Sequence, residues 1–142
     1  MLVADFGESL KSVLTSFIYT DVSNEDVQFF TFNQWFDESL FNEVSFQNLI
    51  FPSIDIENFN KFNKKYFKTF NEESSEISIL AYDALGLIYF TWLDNNANLK
   101  IEKFASKKGF KGLHGEFLIK NNLSHQKLNV YKIFKKKFVK VN

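Results

Sequence analysis

The chain has 142 residues, enough for one domain with a hydrophobic core, since domains of roughly 100 to 150 residues are the commonest. Hydrophobic residues make up 45% of the chain, and 17 basic residues balance 17 acidic ones, which excludes a disordered chain. The absence of cysteine excludes disulfides, thiolate metal sites and cysteine nucleophiles. The 19 phenylalanines and the exclusive use of lysine as the basic residue are typical of an AT-rich genome rather than of an aromatic binding site.

Three near-continuous apolar segments of the first half predict strands, at residues 2–6, 27–32 and 49–51. The first ends at Gly7, and apolar residues at helical spacing after it predict an amphipathic helix. A short helix is expected from Asp37, whose carboxylate can cap the following amides. Because the crossover between neighbouring parallel strands is usually helical, this order predicts a parallel sheet with flanking helices.

Two longer segments predict helices, at residues 56–70 and 77–92. The first carries an aromatic stripe that we expect to be buried, opposite a face of Asn and Lys. The stripe consists of Phe59, Phe62, Tyr66, Phe67 and Phe70. The second helix is the most apolar part of the chain, and its small residues Ala81 and Ala84 predict close packing on a sheet or another helix.

The hydrophobic period changes to that of strands after Gly109. We expect three strands, at residues 116–120, 127–134 and 137–141, separated by Asn121-Asn122 and Lys135-Lys136. They predict an antiparallel meander or a pair of hairpins. The predicted fold class is therefore α/β, with a parallel sheet and a C-terminal antiparallel β meander.

The charges are unevenly distributed. Residues 1–99 hold 15 acidic residues and 5 lysines, whereas residues 100–142 hold 12 lysines and 2 acidic residues. Without arginine, the basic part lacks the bidentate contacts typical of nucleic-acid recognition, so we expect no nucleic-acid partner. A solvated strand face, or one complementary to the acidic part, is the favoured interpretation over a surface for acidic lipid.

No motif for catalysis, a metal or a cofactor is found. The glycines near His114 do not form a phosphate-binding loop, and His114 and His125 are too few and too far apart for a metal pair. A histidine between glycines is typical of a solvated loop. Asp83, within the apolar helix, is expected to bond a neighbouring backbone group or lysine rather than act as a base. The sequence therefore predicts a protein that is not an enzyme.

Two aromatic residues are candidates for ligand binding. Phe6 and Trp35 lie at the carboxyl ends of predicted parallel strands, where open α/β sheets place their ligands. A core or capping role for Trp35 stays open as an alternative.

The order of several weak motifs resembles the second half of a type 1 periplasmic binding protein. The landmarks are Trp35, Phe51-Pro52, the spaced aromatic residues of 59–70, residues 81–84 (AYDA), and the final segment GFKGLHGEFLIKNNLSHQKLNVYKIFKKKFVKVN. The final segment is most similar to the binding-protein-like domain of penicillin-binding-protein activators. The resemblance spans nearly the whole chain.

The resemblance implies a periplasmic, non-enzymatic module whose partner is a peptidoglycan synthase or a small-molecule ligand. It also implies that residues 1–54 end one lobe and residues 55–142 end the other. The sequence predicts no signal peptide and no transmembrane segment, so we expect a truncated or split product whose partner includes the missing first part of the fold. The alternatives are a solute-binding protein of an uptake transporter and a small flavodoxin-like nucleotide binder or enzyme, which a phosphate at Gly7 would support.

Overall fold

The computed structural model describes residues 1–22 and 26–141, in which the helices precede a run of five short strands. The α-helices are α1 (Gly7–Tyr19), α2 (Ile56–Phe70) and α3 (Ser78–Asp94), and the 3₁₀ helices are Glu38–Asn42, Val44–Phe46 and Ile101–Phe104. The strands are β1 (Ile50–Ser53), β2 (Phe110–Gly112), β3 (Gly115–Lys120), β4 (Leu123–Gln126), β5 (Asn129–Ile133) and β6 (Phe138–Val141). None of the helices in these ranges has the length and apolar character needed to cross a bilayer.

The chain forms two compact units. The first unit comprises Met1–Ser53 and Asn129–Asn142, and the second comprises Ile54–Leu128. The end of the chain therefore folds with its beginning. The assignment of residues 1–54 and 55–142 to the ends of two lobes stays a prediction.

Parallel pairing joins the three apolar segments of the first unit, as predicted. Leu2 forms a parallel bridge to Phe30, and Phe30 forms another to Ile50. The Val3 amide donates to the Phe30 carbonyl over 2.8 Å, and the Thr31 amide donates to the Ile50 carbonyl over 2.9 Å. The first two segments are held by these single bridges, whereas the third belongs to strand β1.

The C-terminal strands are antiparallel, which confirms the predicted α/β class with added antiparallel strands. Strands β2, β3 and β4 make a three-stranded meander, and the β5–β6 hairpin joins β1 in a second sheet. The predicted strand 127–134 corresponds to β5, which spans Asn129–Ile133 and pairs with β1. Strand β4, which pairs with β3, lies in a segment for which no strand was predicted.

Aromatic rings fill the core of the first unit. Phe51 and Tyr131 are 0% and 1% exposed and lie opposite each other on β1 and β5. The Phe36 ring lies 5.0 Å from that of Tyr131, and the Phe138 ring lies 5.8 Å from that of Phe51, both edge to face. Such pairs add to the burial energy of each ring, so this cluster anchors the sheet.

Helix α2 has the predicted bounds because both of its ends are capped. The Asp55 carboxylate accepts hydrogen bonds from the amides of Glu57 and Asn58, at 3.0 and 3.2 Å. At the other end Asn71 is left-handed, with φ 54°, and its amide donates to the Phe67 carbonyl.

The predicted burial of the α2 stripe is right at its beginning and wrong at its end. Phe59 and Phe62 are buried, and the Phe62 ring lies 5.8 Å from the Tyr82 ring of α3. Phe67 and Phe70, however, are exposed. Helical periodicity identifies an apolar face, but it does not tell how far a neighbouring element extends along that face.

One side of α3 is apolar and uncovered. Ile79, Asp83 and Thr91 are buried on the opposite side of the helix. The uncovered side, here called the open face of α3, consists of Ala81, Leu85, Ile88, Tyr89 and Trp92. The four larger side chains are 38–68% exposed. Helices that are apolar all round are normally buried, and large exposed apolar patches mark interaction surfaces.

Candidate functional site

The parallel segments of the first unit end at a common edge. The Asp5 carbonyl accepts hydrogen bonds from the Thr31 hydroxyl at 2.8 Å and from the Gln34 side-chain amide at 3.1 Å. Thr31 and Gln34 are buried, so these bonds tie the first segment to the second within the fold. We call this edge, residues 5–7 and 31–35, the carboxyl edge of the first unit.

Both predicted ligand-binding residues lie on the carboxyl edge. Phe6 directly follows Asp5 and is 70% exposed. Trp35 directly follows Gln34, is half-buried and adopts a left-handed conformation with φ 49°, in which its amide donates to the Asn33 side-chain oxygen. Phe32, which sequence reasoning did not select, adds a third aromatic ring that is 51% exposed. The ligand-binding role of Phe6 and Trp35 stays a prediction.

The acidic group of the carboxyl edge occupies the start of helix α1. Gly7 has φ 60°, a conformation that suits glycine, and begins the helix. The Asp5 carboxylate accepts hydrogen bonds from the Phe6 amide at 2.9 Å and the Ser9 hydroxyl at 2.5 Å. A carboxylate here interacts favourably with the helix dipole.

The hydrogen bonds of the Asp5 carboxyl predict that the stability of the fold depends on pH in the acidic range. Hydrogen bonds from Ser9 and then Phe6 hold the pKa of Asp5 below its ordinary value of 3.8. A lowered pKa in the folded state stabilises the fold above the ordinary value, and this contribution is lost as the pH falls through the folded pKa. We expect Ser9→Ala to raise the Asp5 pKa toward 3.8, measured by carboxyl carbon NMR between pH 2 and 6. An unchanged Asp5 pKa in Ser9→Ala would contradict this assignment.

A second polar constellation lies inside the second unit. Asp83 and His114 are 7% and 6% exposed. The Asp83 carboxyl accepts the backbone N–H of His114 at 2.7 Å and is also hydrogen-bonded to the His114 Nδ1 atom. The His114 carbonyl accepts from the Gln126 side-chain amide at 3.1 Å. The contacts tie α3 to the turn between β2 and β3.

This pair corrects one prediction and refines another. His114 is buried, so the prediction of a solvated loop histidine is wrong; tertiary contact with α3 overrides the polar signal of its glycine neighbours. Asp83 bonds a backbone group as expected, and that group belongs to His114, 31 residues away. The sequence signal that pointed to a buried partner was Asp83 itself, an isolated acidic residue within an apolar helix.

A cavity of about 580 Å³ lies beside Asp83 in the second unit. Its walls come from α3 and from the segment before and within β2, and include Leu87, Phe90 and Phe110. The lining is mainly apolar, whereas the Asp83 carboxyl is engaged by His114. Among residues 1–22 and 26–141, no three His, Asp or Glu side chains are placed to hold a metal ion.

Comparison with known proteins identifies the fold. No protein-family model and no curated protein sequence matches the chain. Several solved structures do match. The leucine-binding protein LivK of Thermotoga maritima matches with a TM-score of 0.60 and 14% identity, and the match covers 99% of this chain and 43% of LivK. The C-domain of LpoA from Haemophilus influenzae, a regulator of PBP1A, matches with a TM-score of 0.60 and 12% identity, over 99% of this chain and 44% of that one.

A solute-binding protein of an ABC transporter from R. palustris, solved in complex with benzoate, matches with a TM-score of 0.62 and 11% identity, over 99% of this chain and 41% of that one. The chain thus spans less than half the length of these structures. These similarities confirm the predicted resemblance at the level of fold. The chain has the fold of part of a type 1 periplasmic binding protein.

Proposed function

We propose that the chain is a non-enzymatic binding module that uses the carboxyl edge of its first unit. The observation that carries this proposal is the placement of exposed Phe6 and half-buried Trp35 where two parallel segments end. Open α/β sheets bind ligands at this edge, and aromatic rings provide large contact areas there. The fold supports the proposal, because the solved structures it matches are binding proteins and a regulator.

As the specific role, we propose regulation of a peptidoglycan synthase at the cell envelope, in the periplasm. The match to the LpoA C-domain covers 99% of the chain and supports this role.

Solute binding for an uptake transporter is the second candidate. It is favoured by the matches to LivK and to the benzoate-bound protein, which cover the chain equally well. The Asp5 carboxylate at the carboxyl edge would then select a ligand group that is neutral or cationic.

The open face of α3 is apolar, and the matched structures are more than twice as long as the chain. We propose that the remaining part of the fold covers this face. A helix apolar on nearly all sides is stable when its neighbours bury it on more than one side.

Two binding assays test these roles. The tagged chain is incubated with solubilised membranes of its source organism, and captured penicillin-binding proteins are detected with fluorescent penicillin. In parallel, leucine and benzoate are titrated while tryptophan fluorescence is recorded. Whichever interaction these assays detect, we expect Trp35→Ala to weaken it about tenfold, because the substitution removes one aromatic contact of roughly 1.5 kcal/mol.

Tyr19→Ala is the matched control, because Tyr19 is an aromatic residue of the first unit that is 85% exposed away from the carboxyl edge. Its binding should equal that of the wild type. Equal binding by Trp35→Ala and the wild type, with unchanged circular dichroism, would refute the carboxyl edge as the site. Captured penicillin-labelled protein favours the regulator, and a fluorescence change with leucine or benzoate favours the solute carrier.

A further inference from the structure

The turn between β5 and β6 is built from unusual residues. Lys135 and Lys136 have φ angles of 49° and 57°, and the residues on either side, Phe134 and Lys137, exchange both backbone hydrogen bonds at 2.9 and 3.1 Å. Positive φ at both central positions defines a type I′ turn, which strongly prefers Asn-Gly, Asp-Gly or Gly-Gly. Two lysines are an unfavourable choice for this turn.

At another turn with two positive φ angles, the chain has residues that favour this conformation. The turn between β3 and β4 places Asn121 and Asn122 at φ 52° and 60°, and asparagine tolerates this conformation. At the lysine turn, the Gln47 side chain supports the strained backbone by accepting the Lys135 amide at 3.0 Å. Backbone strain that the surroundings maintain is concentrated at functional sites.

The turn also concentrates positive charge. Five lysines lie within nine residues of this hairpin: Lys132, Lys135, Lys136, Lys137 and Lys140. Within the described part of the chain, none of the five forms an ion pair with an acidic group. The Phe134 ring is 41% exposed and lies below two of the ammonium groups, 5.1 Å from Lys132 Nζ and 5.4 Å from Lys135 Nζ.

The outward side of the hairpin is apolar. Val130 pairs with Val141, and Lys132 pairs with Val139, so these side chains share one side of the two strands with Phe134. Val130 and Val141 are 40% and 36% exposed. The opposite side carries the buried Tyr131 and Ile133. The hairpin therefore presents an apolar strip that ends in a basic tip.

We infer that this basic hairpin, residues 130–141, binds the surface of a membrane that contains anionic phospholipid. The lysines of the tip would meet the headgroups, and Phe134 with the valines would enter the interfacial region. A nucleic acid fits this surface less well, because the apolar strip would contact only phosphates and solvent, and no arginine is present for base contacts. The inference is independent of the proposed ligand at the carboxyl edge.

Vesicle sedimentation of the full chain tests the inference. We expect binding to vesicles of phosphatidylcholine with 30% phosphatidylglycerol, none to phosphatidylcholine alone, and loss of binding in 0.5 M salt. The variant Lys135→Asn/Lys136→Gly has the preferred turn residues and should keep the fold. Its affinity for the anionic vesicles should fall about 30-fold, the effect of two lysines at about 1 kcal/mol each.

The control is Lys107→Asn/Lys108→Asn, which removes the same charge from another exposed lysine pair and should lower the affinity less than threefold. Phe134→Ser should weaken binding at least fivefold without changing net charge. Equal losses in the two double variants would show attraction to net charge alone and overturn the inference. So would absence of binding to the anionic vesicles, or binding of a DNA duplex in their place.

Discussion

Replacing Asp83 with Ala is expected to lower the free energy of unfolding by about 3 kcal/mol, the largest effect that we predict for a single polar residue. The carboxyl of Asp83 is buried, accepts the backbone N–H of His114 and is hydrogen-bonded to the ring Nδ1 atom of the same residue. Without this carboxyl, the backbone N–H and the ring nitrogen of His114 lose their partner, and each buried group left without a hydrogen bond costs about 1–3 kcal/mol. The change is measured from urea unfolding followed by circular dichroism.

Gly112 allows a sharper test of the same contact. A Cβ atom at this position would lie less than 3.0 Å from the Asp83 carboxyl group, so Gly112→Ala displaces the carboxyl from His114. In the wild-type background we expect Gly112→Ala to cost about 2 kcal/mol or more. In the Asp83→Ala background the obstacle is gone, and the same substitution should cost little. Additive costs in the double variant would refute the contact.

Phe51→Ala is expected to lower the free energy of unfolding by about 3–5 kcal/mol, the usual cost of deleting a fully buried ring. Phe51 is 0% exposed and packs against the rings of Phe36, Tyr131 and Phe138. Its loss leaves a cavity in the cluster that anchors β1 to β5. Thermal and urea unfolding of the full chain measure the effect.

Two further substitutions calibrate this result. Phe51→Leu keeps most of the buried volume and should cost less than about 1.5 kcal/mol. Phe70→Ala removes a ring that is 60% exposed, and its cost should stay within about 0.5 kcal/mol. A loss for Phe70→Ala as large as that for Phe51→Ala would mean that the aromatic core is not centred on β1.

Elements whose ends are set by neighbouring residues could be predicted from the sequence. Helix α2 has the predicted bounds because Asp55 caps its first turn and Asn71 ends it, and both signals lie next to the helix. The Asn121-Asn122 turn was predicted for the same reason. Strand β4 was not predicted, because Leu123 is its only apolar residue and its extended conformation follows from pairing with β3.

The candidate site was predictable only in part, for a related reason. Phe6 and Trp35 could be placed on one edge because parallel strands end on the same side. The hydrogen bonds from Thr31 and Gln34 to the Asp5 carbonyl, which hold this edge together, join residues 26 and 29 positions apart. The burial of His114 likewise depends on a residue far away in the sequence, Asp83, which is 31 positions earlier. Helical periodicity likewise located α3 without showing that its open face is uncovered.

The division of the chain between its two units has a consequence for the rate of folding. The second unit, Ile54–Leu128, lies in sequence between β1 and its partner β5, so pairing Phe51 with Tyr131 closes a loop that contains the whole second unit. Pairings between residues so far apart in sequence form slowly, and we therefore expect closure of the aromatic core of the first unit to be a late step in folding.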